Sequence, residues 1–131
     1  MIIDSHCHLT YEPMSNALKE TINRAKKDGI KYMLTISTED KSFEQILKIV
    51  NGYESVYGTY GIHPHEAKSH QHIKSDDIIN KVKNNKKIIG IGETGLDFYY
   101  NHSEKKDQIY SFEEHISAAQ KKNLPLIVHT R

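Results

Sequence analysis

The sequence predicts one α/β domain, residues 1–131, with a parallel sheet, and two observations support this prediction. Short apolar runs alternate along the chain with amphipathic segments of helical spacing. The runs begin about 31 residues apart on average, close to the roughly 31 residues per unit of a (β/α)₈ barrel. Such alternation implies parallel strands with right-handed crossovers. An open, flavodoxin-like sheet has the same local pattern.

Five strands and four helices are predicted in strict alternation. The first helix follows Ser15 as a candidate cap and ends before Gly29, and the second ends at Gly52. The third follows Ser75 and has acidic residues where the helix dipole favours them. The fourth stops at Asn123, just before a proline. The strands are predicted at residues 2–4, 30–36, 56–60, 88–91 and 126–128.

Composition and the cysteine count give only broad expectations. The charge is nearly balanced, with 18 Lys and Arg against 17 Asp and Glu, so there is no basic footprint for nucleic acid. Cys7 is the single cysteine, so no disulfide forms within the chain. No stretch approaches the roughly 20 apolar residues of a membrane span, and no signal peptide is visible. We therefore expect a cytoplasmic protein with no membrane partner.

The first stretch that carries chemistry is "DSHCH", at the end of the first strand. Residues two apart in a strand point to the same face, so His6 and His8 can chelate one divalent ion. Asp4 lies on that face and is expected to support them. Cys7 points the other way and is expected in the core. Taken alone, a His-x-His pair is more often two surface histidines.

Three further strands also have candidate ligands near their carboxyl ends, where sites gather in parallel α/β folds. Glu93 follows the fourth strand in "GIGETGLD", where a carboxylate is costly unless it is paired or bound to metal. His63 follows the third strand, and His129 ends the fifth. The alternatives are an exposed turn glutamate and a hydrogen-bonded core histidine. A solvated loop is expected for the remaining histidines of this region, His65, His70 and His72.

The coincidence of these ligands on four strands favours a barrel. Histidine and carboxylate together suit Zn²⁺, Mn²⁺ or related ions. In a flat sheet, strands one and five would lie about 19 Å apart, at ~4.8 Å per spacing. His6 and His129 could then not share a centre, whereas a barrel brings opposite strand ends together. We therefore predict the first five strands and four helices of a (β/α)₈, or TIM-type, barrel.

The segments "DSHCHL", "YGIHPHE", "GIGETGLDFYY" and "LPLIVHTR", in this order, resemble the TatD-like metal-dependent deoxyribonucleases of the amidohydrolase superfamily. The likeness runs from residue 2 to residue 131 and covers only the N-terminal half of that family's barrel. It implies a phosphodiesterase that acts on DNA, as single strands or ends. It also implies two divalent ions, of Zn, Mg or Mn, in the complete site.

The resemblance also implies roles for individual residues. His6 and His8 match the first metal pair, Glu93 the bridging and catalytic carboxylate, and His129 a ligand of the second ion. His63 and Arg131 would hold the substrate phosphate. Two carboxylates, Asp4 and Asp97, would support the ligands.

The family also supplies a histidine from the sixth strand and an aspartate from the eighth, and no residue here matches either. We therefore expect the chain to be weakly active or inactive alone. Unpaired edges on strands one and five would favour a complementing C-terminal half or self-association. Two alternatives remain open: a non-catalytic fragment or half-site subunit of a split enzyme, and another amidohydrolase-superfamily hydrolase, for example one acting on amides.

Overall fold

The computed structural model describes residues 1–131 and contains one parallel sheet in the order β1-β2-β3-β4-β5. The sheet curls into a half-barrel, so the predicted barrel-type fold with five strands and four helices is confirmed. Each strand pairs with its sequence neighbours, as short right-handed β-α-β units require. The strands are β1 (Ile2–Cys7), β2 (Ile30–Thr35), β3 (Val56–Tyr60), β4 (Ile88–Leu96) and β5 (Leu126–Thr130).

All four predicted helices are present: α1 (Leu18–Lys27), α2 (Phe43–Gly52), α3 (Ser75–Val82) and α4 (Lys105–Lys122). The prediction that Ser15 caps α1 is wrong, because Ser15 lies inside a 3₁₀ turn that precedes the helix. Ala17 occupies the cap position and makes no side-chain hydrogen bond. At the other end of the chain, Asn123 ends α4 in a left-handed conformation with φ 53°.

Strands β4 and β5 continue further than their apolar runs predict. Glu93 therefore lies inside β4, not just past its end. Backbone pairing holds the extension in place: the N–H of Arg131 donates to Leu96 O at 2.9 Å, and the N–H of Phe98 donates to Arg131 O at 2.9 Å. Gly92 and Gly95 adopt φ values of 137° and 146°, which favour glycine over any other residue. A prediction based on apolar runs ends β4 at Ile91, because the residues that follow include Gly92 and Gly95.

The hydrophobic core lies between the sheet and its helices. Strand residues such as Val56 and Ile91 pack there with Ile22 of α1, Ile46 of α2 and Ile78 of α3, all fully buried. None of these helices has the length and apolar character needed to cross a bilayer.

A histidine takes part in this packing. His115 of α4 is 1% exposed, and its Nε2 accepts the backbone N–H of Ile62 at 3.0 Å. Its Nδ1 lies 2.6 Å from Ser111 O, to which it donates. His115 therefore fixes the residue that precedes His63 to the surface of α4.

The opposite face of the sheet carries an exposed apolar groove of about 400 Å³. Ile3 is 54% exposed and Ile89 is 39% exposed, although Ile88 beside it belongs to the core. The rings of Tyr32 and Tyr57 meet edge to face in the groove, with centroids 6.1 Å apart. Strands of parallel barrels normally have both faces covered, so this face is the one a complete barrel would bury.

Candidate metal centre

Glu93 lies between two sets of imidazoles, one facing each carboxylate oxygen. Its Oε2 lies 3.3 Å from His6 Nε2 and 3.9 Å from His8 Nε2. Its Oε1 lies 3.2 Å from His129 Nδ1 and 3.9 Å from His63 Nε2. Side chains from β1, β4 and β5 and from the turn after β3 therefore converge on one carboxylate.

This convergence requires the curvature expected of a barrel. In a flat sheet of order β1-β2-β3-β4-β5, the strands of His6 and Glu93 would lie about 14 Å apart, three spacings of ~4.8 Å. Their side chains instead approach to 3.3 Å. The ends of the strands therefore curl toward a common mouth.

The donors fit divalent metal ions. Zinc binds nitrogen and oxygen at roughly 2.0–2.2 Å, which places tetrahedral ligand atoms roughly 3.4 Å from one another. Two groups of three residues have ligand atoms within 4.8 Å of one another. The group with Glu93 offers two imidazole nitrogens and a carboxylate oxygen, and the other offers three imidazole nitrogens. Such donors suit zinc, manganese and related ions. The groups are His6, His8 and Glu93, and His63, His65 and His129.

Asp97 orients two of the imidazoles by accepting hydrogen bonds from them. It is completely buried, and its Oδ2 lies 2.8 Å from His65 Nε2 and 2.9 Å from His129 Nε2. Both ring nitrogens donate to it. The Nδ1 of His129 faces Glu93 Oε1 at 3.2 Å, and in the neutral ring it carries the lone pair that a metal ion would bind. This is the carboxylate–histidine arrangement that commonly supports a metal ligand. Gln108 fixes Asp97 by accepting its backbone N–H at 2.7 Å.

His63 has the opposite tautomer. Its Nδ1 accepts the backbone N–H of His65 at 3.1 Å, so in the neutral ring Nε2 carries the hydrogen. Burial lowers the pKa of His63 to about 4, although Glu93 raises it in part. The ring is therefore neutral near pH 7 and presents an N–H donor to the mouth of the site.

Electrostatics keep the surrounding groups in defined states. Burial raises the pKa of Asp97, but hydrogen bonds from the Tyr100 N–H and from the His65 and His129 rings outweigh burial and lower it. Asp97 is therefore an anion. Burial also lowers the pKa of His8, which favours the neutral imidazole that binds metal.

Other predicted residues lie nearby but make different contacts. The Oδ1 of Asp4 accepts the backbone N–H of His6 at 3.1 Å, so it contacts the main chain and not a ring. Arg131 follows β5 and stacks over Tyr100, 5.1 Å from the ring centroid. Cys7 contacts Leu34 O through its Sγ at 3.4 Å, and burial raises the pKa of its thiol to about 12.

The prediction of a solvated loop is wrong for His65 and His70. The His65 side chain is only 29% exposed, and its ring centroid lies 4.3 Å from that of His63. His70 Nε2 accepts the backbone N–H of Asp40 at 3.3 Å, whereas His72 is exposed as expected. The order His63-Pro64-His65 could have indicated this position for His65. Pro64 begins a tight turn that brings the His65 ring next to the His63 ring.

The site opens into a cavity of about 300 Å³ above Glu93. Tyr11, which the sequence did not point to, stacks on His8 with ring centroids 4.7 Å apart. The Tyr11 hydroxyl shares a 2.9 Å hydrogen bond with Thr38 Oγ1. Glu66 also lines the cavity. The cavity is therefore polar, open and lined by imidazoles.

Comparison with known proteins identifies a family and several relatives. Residues 3–131 match the family model described as TatD related DNase. A protein of Buchnera aphidicola named an uncharacterized metal-dependent hydrolase is 38% identical over 99% of this chain and 49% of its own. The 3'-5' ssDNA/RNA exonuclease TatD of Salmonella typhimurium is 30% identical over 99% of this chain and 50% of its own.

The fold of a solved relative agrees as well. The crystal structure of YjjV, a TatD homologue from Escherichia coli, superposes with a TM-score of 0.83 at 26% identity, covering 99% of this chain and 51% of that one. The chain thus spans about half the length of the relatives it matches.

Proposed function

Since this chain belongs to the family of TatD-related DNases, we propose that it forms part of a metal-dependent hydrolase that cleaves phosphodiester bonds of DNA. The observation that carries the proposal is the position of Glu93, with imidazoles at 3.2 Å and 3.3 Å from its two oxygens. Such a carboxylate can serve two ions at once, and paired ions are a common means of phosphodiester hydrolysis. The name of the Salmonella relative supports nucleic acid as the substrate class.

Some residues of the chain would bind the metal ions, and others would orient the residues that bind them. His6, His8 and Glu93 would hold one ion, and Glu93 with His129 would hold the second. Divalent ions held there supply Lewis acidity toward the phosphoryl oxygens and the attacking water. Asp97 keeps the His129 ring in the tautomer that leaves Nδ1 free, through its 2.9 Å hydrogen bond to Nε2.

Substrate contacts would come from the rim of the cavity. The neutral His63 ring offers its Nε2 hydrogen to a phosphoryl oxygen, because its Nδ1 is occupied by the His65 N–H. Arg131, which lies 5.1 Å from the Tyr100 ring centroid, would add a guanidinium, a group well suited to phosphate. These two groups would position the phosphodiester over Glu93.

The partner we propose is a complementing half-barrel of three further β-α units. The edges of β1 and β5 have no neighbouring strand, and the groove beside Ile3 and Ile89 leaves apolar surface in water. Three strands would complete the eight of a closed barrel and cover both features. Self-association is the competing use of the same edges. The compartment we propose is the reducing cytoplasm, where the single free thiol of Cys7 stays reduced.

The function is tested by metal-dependent turnover. The chain would be incubated with Zn²⁺, Mg²⁺ or Mn²⁺ and with single-stranded DNA, a small phosphodiester analogue or amide substrates. We expect slow metal-dependent phosphodiester cleavage that Glu93→Gln abolishes, with Glu54→Gln as a surface control. Cleavage of amides alone, or equal phosphodiester cleavage by Glu93→Gln, would contradict the proposal.

A further inference from the structure

Three aromatic side chains follow β4 and face solvent beside the imidazoles. Phe98 is 41% exposed, Tyr99 is 74% exposed and Tyr100 is 49% exposed. The Tyr100 ring centroid lies only 5.8 Å from that of His65. Scattered surface aromatics are ordinary, but a contiguous set beside a site marks a binding surface. The metal centre described above makes no use of these rings.

The aromatic segment is held firmly in place. The backbone N–H groups of Tyr99 and Tyr100 donate to Asp97 Oδ1 at 3.2 Å and 3.1 Å. The other oxygen of Asp97 holds the rings of His65 and His129. One buried carboxylate thus fixes both the aromatic segment and two imidazoles. The backbone that carries these rings is therefore tied to the same carboxylate as two imidazoles of the site.

Two cations lie against these rings. The Arg131 guanidinium is 5.1 Å from the Tyr100 centroid, and Lys105 Nζ is 4.9 Å from the Phe98 centroid. Aromatic faces accompanied by Arg and Lys are the composition of grooves that bind single-stranded nucleic acid. In such grooves the rings stack on bases and the cations pair with phosphates.

We propose that Phe98, Tyr99 and Tyr100, with Arg131 and Lys105, form a base-stacking subsite for single-stranded nucleic acid at the edge of the metal centre. The Tyr100 centroid lies 5.8 Å from that of His65, so a nucleotide stacked on Tyr100 would lie next to the imidazoles of the metal centre. The subsite selects single strands, because the faces of bases in a duplex are already stacked on one another. The inference rests on the proposed function for its choice of substrate.

The test is binding without turnover. A fluorescently labelled oligothymidylate would be titrated with the chain in EDTA, and its anisotropy followed. Tyr99→Ala and Tyr100→Ala remove a ring but keep the backbone N–H that Asp97 accepts. Each should weaken binding roughly 5- to 100-fold, the range found when a stacking aromatic is removed. Tyr100→Phe should bind nearly as tightly as the unmodified chain.

Two controls separate stacking from other effects. Tyr110→Ala removes a ring that is 38% exposed and lies on α4, outside the aromatic segment, and binding should be unchanged. An abasic oligomer with the same number of phosphates should bind weakly and with equal affinity to all variants. Equal weakening of both oligomers by Tyr100→Ala would overturn the proposal, as would failure of the unmodified chain to prefer oligothymidylate.

Failure of this inference is distinguishable from failure of the proposed function. Hydrolysis of a small phosphodiester analogue needs the metal centre and no stacked base, whereas binding in EDTA needs the rings and no metal. Metal-dependent hydrolysis without a stacking effect would reject the subsite alone. A stacking effect without hydrolysis would reject the catalytic proposal alone.

Discussion

At the scale of single residues, the candidate metal centre depends on two carboxylates that contact imidazole rings. Glu93 separates two sets of ring nitrogens, and Asp97 accepts hydrogen bonds from one of those rings, His129, and from the neighbouring His65. Partners of this kind commonly raise metal affinity by 10- to 100-fold. The residue-scale predictions concern these contacts and the buried histidine of α4.

Asp97→Asn should weaken metal binding by about 10- to 100-fold. Asn has one acceptor oxygen where Asp97 uses two, so it cannot accept from the two imidazoles and also from the Tyr99 and Tyr100 N–H groups. The His129 ring therefore loses the partner that sets its tautomer. Affinity would be measured by competition with a chromophoric chelator. The matched control is Asp4→Asn, because Asp4 accepts only a backbone N–H. An equal effect of the two substitutions would contradict the role of Asp97.

His115 should make the protein less stable as the pH falls. Burial lowers its pKa from 6.5 to about 4, so the unfolded chain binds the proton more readily than the folded chain. The stability it contributes is complete above about pH 6.5 and is lost as the pH falls toward 4, by roughly 3 kcal/mol at 1.36 kcal/mol per unit.

This pH dependence is measured by urea unfolding across the same range. His115→Gln can still accept the Ile62 N–H, but it has no proton to gain. The variant should therefore lose less stability than the unmodified protein between pH 6.5 and 4. Parallel profiles for the two proteins would show that His115 does not titrate as described.

At the scale of elements, the pairing of β4 with β5 positions the ligands. Gly95 lies opposite His129 in the register, with a φ of 146°, and a Cβ there would collide with the His129 carbonyl. Gly95→Ala should therefore destabilise the fold by roughly 2 kcal/mol or more, from backbone strain and overpacking.

The control is Gly52→Ala at the end of α2, where a Cβ would meet nothing within 4 Å. It should change stability by less than about 1 kcal/mol, since alanine suits a helix better than glycine. Chemical denaturation compares the two variants. Similar stabilities would mean that the β4–β5 pairing tolerates a side chain.

How far the sequence predicts this arrangement depends on the kind of contact. The alternation of side chains along a strand predicts that His6 and His8 lie on one face. The tendency of sites to form at the carboxyl ends of parallel strands predicts that Glu93 and His129 lie at the same edge of the sheet. The contribution of Gln108 could not be predicted, because it depends on how α4 packs against β4. Tyr11 reaches the site through an irregular segment, where no periodic pattern indicates a direction.

At the scale of the whole molecule, the uncovered sheet face should govern association. Ile89→Lys places a charge in the apolar groove and should reduce concentration-dependent association of the chain. The matched control is Ile109→Lys on α4, since Ile109 is 43% exposed and Ile89 is 39% exposed. Sedimentation velocity over a range of concentrations distinguishes them. Equal association of both variants would show that the groove is not the contact surface.

The central claim is that one carboxylate serves both sets of imidazoles. Calorimetric titration of Zn²⁺ or Mn²⁺ into the unmodified chain and into Glu93→Gln tests it most directly, with circular dichroism to show that both are folded. We predict that the substitution weakens every metal-binding step of the chain. Unchanged affinity and stoichiometry in folded Glu93→Gln would contradict the account.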